Sequence, residues 1–306
     1  MIFTIALTTV AIMLCYAIPG YLLVKGKLIP PSSISAFATV LLYLNAPFQT
    51  IYAMQQIDLS AYILKYLALT LFLALALMGG MMGLIYFITR KQQERVPFRI
   101  CTTAAVFGNC GFMGIPLLEA LMPHYPQAVA YAAAFFLAQT IMMWTVGSFI
   151  ITRNIKHMNI KKVFVNPGTI AMALSLALLF CRVRFTGQVA DLITLLNRMA
   201  TPMCMLILGM RLGAIPLRPM FTNPLQYLAI GLKLLIFPLL ALLVVKILPV
   251  EADYRMAIYV MACAPVGNVV LSFAEMLGEG QDVAANVVLL STFLSVLTIP
   301  VMLLLI

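Results

Sequence analysis

Charge is scarce in this chain. Only 9% of its 306 residues are Asp, Glu, Lys or Arg, while 64% are hydrophobic. No soluble core of this size needs so many uninterrupted apolar segments, so the composition places the chain among integral membrane proteins. The six cysteines form no C-x-x-C pair, which argues against both a disulfide framework and a zinc site. The two histidines, His124 and His157, fall in separate connections and make no metal or catalytic cluster. There is no H-E-x-x-H, no G-x-S-x-G and no Walker loop, and no catalytic pair presents itself within the apolar runs. An enzyme is not expected, nor a cofactor. The net charge of +10 comes from basic residues between apolar runs. That pattern reports membrane orientation and not a nucleic-acid partner.

What the chain does have is ten apolar runs, at about 2–24, 32–54, 61–89, 98–121, 127–151, 166–182, 188–210, 223–248, 254–277 and 283–305. Each is close to the ~20 residues that a bilayer requires. The first has no basic leader, runs too long and lacks a small-residue cleavage site, so it reads as a span and not a signal peptide. The connections are short and leave no room for a soluble domain. The odd-numbered ones hold Lys25, Lys27, Arg90, Lys91, Arg95, Arg99, Arg153, Lys156, Lys161, Lys162, Arg211 and Arg218. The even-numbered ones hold only Arg182, Arg184, Lys246 and Arg255. The excess puts odd connections in the cytoplasm and both termini outside, in a multi-pass plasma-membrane protein.

Two runs are interrupted. Gly108-Asn109-Cys110-Gly111-Phe112-Met113-Gly114-Ile115-Pro116 lies inside the fourth, with three glycines, an asparagine and a proline. Pro116 has no N–H to donate and its ring clashes with the carbonyl of Phe112, so a helix here is expected to break near mid-membrane. Freed backbone groups are tolerated at that depth only where protein or a wet cavity surrounds them, as in the discontinuous helices of transporters. The ninth run carries Ala262-Cys263-Ala264-Pro265-Val266-Gly267-Asn268, where Pro265 removes the bond to Met261. If both helices break and cross, two half-helix N-termini point at one centre and offer unpaired N–H groups to an anion. Asn109 and Asn268 would add neutral donors. The bland alternatives are a simple proline kink and asparagines that only cap loosened backbone.

The halves look related. Ala46-Pro47 precedes Thr201-Pro202 by 155 residues, and Arg99 precedes Arg255 by 156, an offset that lays Asn109 against Pro265. A five-span unit used twice is odd-numbered, so its copies would insert with opposite orientation. The expected fold is all-α, with ten transmembrane helices as two inverted five-helix repeats (1–152 and 166–306, joined by a cytoplasmic connection at 153–165) and broken, crossed helices 4 and 9.

The motif Asn109-x-Gly111-Phe112-x-Gly114-x-Pro116-Leu117, with Ala264-Pro265-x-Gly267, Asn166-Pro167 and Pro202 with Gly209, resembles the auxin efflux carrier family over the whole chain. Members are secondary transporters of organic anions, including auxin in plants and malonate or malate in bacteria. The resemblance implies a carboxylate site at Asn109, Gly111, Gly114, Pro116, Pro265, Gly267 and Asn268. It also implies a scaffold of spans 1, 2, 6 and 7, a mobile domain of spans 3–5 and 8–10, elevator-like movement and a homodimer. The long cytoplasmic loop of plant members is replaced by about Arg153–Val165, and the acidic residue paired with lysine in the third span of some plant members has no match. Coupling to protons or sodium is left open.

Lys233, near the middle of the eighth span, is either a counter-charge for the carboxylate or a plug on broken-helix carbonyls, since charge at that depth faces protein or water. Gln139 is expected to line the cavity. Trp144 lines it or anchors the interface. Arg198 is read as structural, and Glu119 and Glu275 as solvated helix ends. Gly79-x-x-x-Gly83 and Gly209-x-x-x-Gly213 are read as close helix packing. The functional expectation is a secondary transporter moving a small carboxylate by alternating access. A non-transporting sensor on the same fold is the alternative, disfavoured because no appended signalling domain exists to read a bound state.

Overall fold

The computed structural model describes residues 2–158, 160–215, 221 and 223–306. Arg218, counted among the basic residues of the seventh connection, lies outside the described residues. The described chain is helical, and seven of its helices are long and apolar enough to cross a membrane. We label these α1 (Ile2–Lys25), α2 (Pro31–Gln55), α3 (Ala61–Ile88), α6 (Gln127–Thr152), α8 (Gly187–Ala214), α9 (Pro224–Ile247) and α12 (Gln281–Leu305). Shorter helices occupy the remaining apolar runs. They are α4 (Val96–Ala104), α5 (Cys110–Leu121), α7 (Pro167–Phe180), α10 (Ala252–Cys263) and α11 (Asn268–Leu277).

Helix starts follow local chemistry. Ser60 caps α3 by accepting from the Ile63 N–H, Asn166 caps α7 by accepting from Gly168, and Asn223 caps α9 by accepting from Leu225. Each satisfies an amide that has no intrahelical acceptor. Pro167 and Pro224 follow their caps directly, where a missing N–H loses nothing.

Interior prolines act differently. Pro47, Pro116 and Pro238 are each preceded by one widened turn, in which the residue before the proline bonds five residues back. The bonds are Ala46 N–H to Leu41, Ile115 N–H to Cys110 and Phe237 N–H to Leu232. The proline ring displaces the carbonyl four residues behind it, and the helix absorbs the misfit by a π-type turn instead of breaking. Pro116 therefore does not break its helix. The fourth run parts earlier, between Ala104 and Cys110, and Pro116 sits securely within α5.

α8 packs along α1 and α2, and α2 along α7, while α3 packs on α6 and α9 on α10. Close approach of α8 to α1 depends on glycine. A Cβ on Gly209 would lie 1.8 Å from the Ala17 carbonyl oxygen, and one on Gly20 would lie 2.1 Å from that of Leu206. Gly213 meets Tyr21 and Val24 in the same contact. Gly79 and Gly83 have no such neighbour: a Cβ on Gly79 would only touch Met142 at 3.7 Å, and one on Gly83 would enter open space. The second small-residue pair is a packing motif, whereas the first makes no close helix contact among the described residues.

Candidate functional site

The two interruptions meet. Gly108 and Val266 form an antiparallel bridge, in which the Asn109 N–H donates to the Pro265 carbonyl at 2.7 Å and the Gly267 N–H to the Phe107 carbonyl at 3.0 Å. Extended backbone in an apolar interior thus finds partners in the other break, the condition for its survival at membrane depth. Gly267 is required for this approach, because a Cβ there would stand 2.5 Å from the Gly108 carbonyl oxygen. The local two-fold axis of the bridge exchanges Gly108 with Val266, 158 positions apart (266 − 108). Asn109 is thus the neighbour of Pro265 in space and the equivalent of Gly267, two positions from the register of the 156-residue offset.

Side chains satisfy what the backbone leaves. In the first break, Gln139 Oε1 accepts from the Gly108 N–H at 2.9 Å, Gln49 Nε2 donates to the Gly111 carbonyl at 3.0 Å, and Thr201 Oγ1 donates to Phe112 at 2.9 Å. Phe112 is the carbonyl that Pro116 displaces from its helical partner. In the second break, Ser291 Oγ accepts from the Val266 N–H at 3.1 Å. Lys233 Nζ donates to the Ala262 carbonyl at 3.0 Å and sits 4.3 Å from the Phe237 ring centroid. Met261, freed by Pro265, accepts from Cys110 Sγ at 3.5 Å.

On one side of the crossover lies a cavity of about 330 Å³. Of the residues singled out from the sequence, Asn109, Gly111, Gln139, Gly267 and Asn268 line it. The first amides of α5 and α11, which have no intrahelical acceptors, belong to the same wall. Asn109 Nδ2 and Asn268 Nδ2 both point at Cys204 Sγ of α8, at 3.9 and 3.4 Å. Sulfur is a weak acceptor, so two amide donors converge on a partner that satisfies them poorly. Asn268 Oδ1 is buried with no hydrogen-bond partner among the described residues.

Four expected residues stand elsewhere. Gly114 faces Met261, whose sulfur would lie 2.9 Å from a Cβ, so it sets the packing of α5 on α10. Pro116 sits inside α5, and Pro265 contributes its carbonyl to the bridge. Lys233 is fully buried and does not line the cavity. Its one carbonyl partner among the described residues is Ala262 at the C-terminal end of α10, where a cation complements the negative end of the helix.

Sequence reasoning missed Arg211. The seventh run was expected to end at 210, but α8 continues to Ala214 and carries Arg211 into the cavity wall. Basic residues at the end of an apolar run read as loop, and only the neighbouring helices reveal that this one is covered. Arg211 forms a double ion pair with Glu275 of α11, one arm at 3.2 Å, so Glu275 is paired and not simply solvated. Glu119 is half-buried beside Asn197 and Arg198, likewise unlike a solvated end. Trp144 lines the cavity and meets Phe273 edge-on at 4.6 Å between ring centroids.

Residues 5–153 and 150–303 match the model of the membrane transport protein family. The chain belongs to that family. The resemblance carried by the Asn109–Leu117 motif is thus one of membership, and the protein is a multi-pass membrane protein with a role in membrane transport. No curated protein matches the chain.

Proposed function

We propose that the protein is a secondary transporter carrying a small carboxylate across the plasma membrane by alternating access. The observation that supports this most directly is the convergence of both asparagine amides and both half-helix N-termini on one cavity. An anion there would accept from amides that point at nothing better than a thiol. It would also lie at the positive ends of two helix dipoles, with no permanent charge required at the crossover itself.

The fold reading that accompanies this is ten crossings in two inverted five-helix units. The short helices α4–α5, α7 and α10–α11 supply the crossings that the seven long ones leave, and the two-fold bridge at 158 residues is close to the offsets of 155 and 156. The mutual packing of α1, α2, α7 and α8 favours these as a scaffold, with the other helices moving past it, elevator-like, in a homodimer. The cavity wall extends to Asn166 at the start of α7, Arg211 near the end of α8 and Met276 near the end of α11, all beside odd-numbered connections. With those connections in the cytoplasm, this is the inward-facing arrangement. The opposite side is sealed by Gln49 on Gly111 and Thr201 on Phe112.

The test is a thermal-shift screen of the detergent-purified protein against mono- and dicarboxylates, followed by uptake in proteoliposomes. A ligand that binds only the folded state raises its melting temperature. We expect a carboxylate shift that Asn109→Ala and Asn268→Ala each diminish while the protein stays folded. Unchanged affinity in both variants would overturn the shared site.

A further inference from the structure

The crossover offers amides, but the cavity also holds a cation that the asparagine motif does not foretell. Arg211 is the one charged side chain among the described residues lining the cavity. It is nine-tenths buried, and its Nε has no hydrogen-bond partner among the described residues. A cation so placed must be compensated. The compensation is Glu275, whose two oxygens face both terminal nitrogens of the guanidinium.

The two partners are unequally held. The Arg211 side chain is 11% exposed and that of Glu275 is 44% exposed. A carboxylate at the water boundary can leave into solvent at small cost, whereas the guanidinium cannot leave the cavity wall without another anion to replace it. The fork of a guanidinium donates to any carboxylate in the same two-bond geometry. Glu275 therefore occupies the place that a carboxylate ligand would take.

Position agrees with this. Cys204, Ile207 and Arg211 recur at helical spacing on one face of α8, and Ile207 and Arg211 both line the cavity. Cys204 marks the point where Asn109 and Asn268 converge, and two turns separate it from Arg211, about 10 Å along the axis. One stripe of α8 thus faces the crossover amides at one end and carries the cation at the other, with a cavity between.

We propose that Arg211 is a second anion-binding group of the site and that Glu275 is its resident, displaceable occupant. An entering carboxylate exchanges with Glu275 on Arg211 and so opens the ion pair that ties α8 to α11. No bond is made or broken covalently. The proposal rests on the carboxylate reading of the cavity and adds to it a competitor built into the chain.

The test compares Glu275→Gln and Arg211→Gln in the full-length protein in detergent, with malonate and acetate as probes and the dissociation constant read by calorimetry. A displaceable occupant gives changes of opposite sign: Glu275→Gln binds about tenfold tighter, and Arg211→Gln about tenfold weaker. A purely structural ion pair gives no such opposition, because either variant then perturbs the same contact. Should Arg211→Gln fail to fold, Arg211→Lys, which keeps the charge and loses the fork, is expected to bind several-fold weaker. Constants within twofold of the parent in both variants, with Asn109→Ala still weakening binding, would overturn this proposal and leave the carboxylate site intact. If the parent binds neither probe, binding that emerges in Glu275→Gln supports the competitor, and its absence there overturns both readings.

Discussion

The two broken helices meet in reciprocal backbone bonds, yet they are supported by different chemistry. The first break relies on neutral side chains that reach it from helices on both sides: Gln139 from α6, Gln49 from α2 and Thr201 from α8. The second relies on a buried lysine from α9 and a serine from α12. Of these five side chains only Gln139 lines the cavity; Gln49 and Thr201 stand on its far side, and Lys233 and Ser291 lie outside it. The lysine is thus kept behind the crossover, where it compensates the carbonyl end of α10, and the neutral Asn109 and Asn268 amides face the cavity. On the proposed carboxylate function, a surface built this way would attract the anion through helix ends and amides without a fixed charge at the crossover.

Substitutions can break this comparison, and the largest effect is expected where the two backbones touch. Gly267→Ala would drive a Cβ into the Gly108 carbonyl at 2.5 Å, backbone against backbone with no flexible atom to yield, at about 3 kcal/mol or more. Gly111→Ala, whose Cβ would meet only the Phe136 ring and the Gln49 side chain at 3.4 to 3.5 Å, is expected to change stability by about 0.5 kcal/mol or less. Melting temperatures of the two variants in one detergent decide the matter. Equal losses would mean that the bridge is not the tight point of the fold.

Next comes Lys233→Met. It removes the donor to Ala262 and leaves that carbonyl buried, and relief of the lysine's own desolvation offsets part of the loss. We expect a destabilisation of about 2 kcal/mol with carboxylate affinity nearly unchanged, because Lys233 stands outside the cavity. A large loss of affinity at unchanged stability would return Lys233 to the binding site.

Smaller again are the acceptors of the two bridging amides. Gln139→Leu orphans the Gly108 N–H and Ser291→Ala the Val266 N–H, each at about 1 to 2 kcal/mol. Their stability losses are expected to match, while only Gln139→Leu alters binding, since Gln139 alone of the two lines the cavity. Equal effects on binding would show that the two breaks serve the site symmetrically.

Much of this was legible in the residues. Apolar runs of bilayer length, the rhythm of basic connections and two glycine–proline interruptions each report a local cost that the chain cannot evade. The interruptions pointed to Asn109, Gly111, Gly267 and Asn268, all of which line the cavity. The cause assigned to the first was wrong: Pro116 was read as the breaker, yet it is absorbed by a widened turn, and the helix parts upstream where Gly108 and Asn109 find partners in the other half. Proline states which bond is missing, not how the helix responds.

By itself, the sequence determined the class of protein, the apolar runs and the places where backbone would need outside partners, because hydropathy, missing N–H groups and absent side chains act within a few residues. Only the tertiary structure decided which partners those were. It put Lys233 behind the crossover, brought Cys204 between two asparagines, and carried Arg211 into the cavity wall against Glu275. Each of these depends on helices distant in sequence lying side by side, and no local preference along the chain encodes that adjacency.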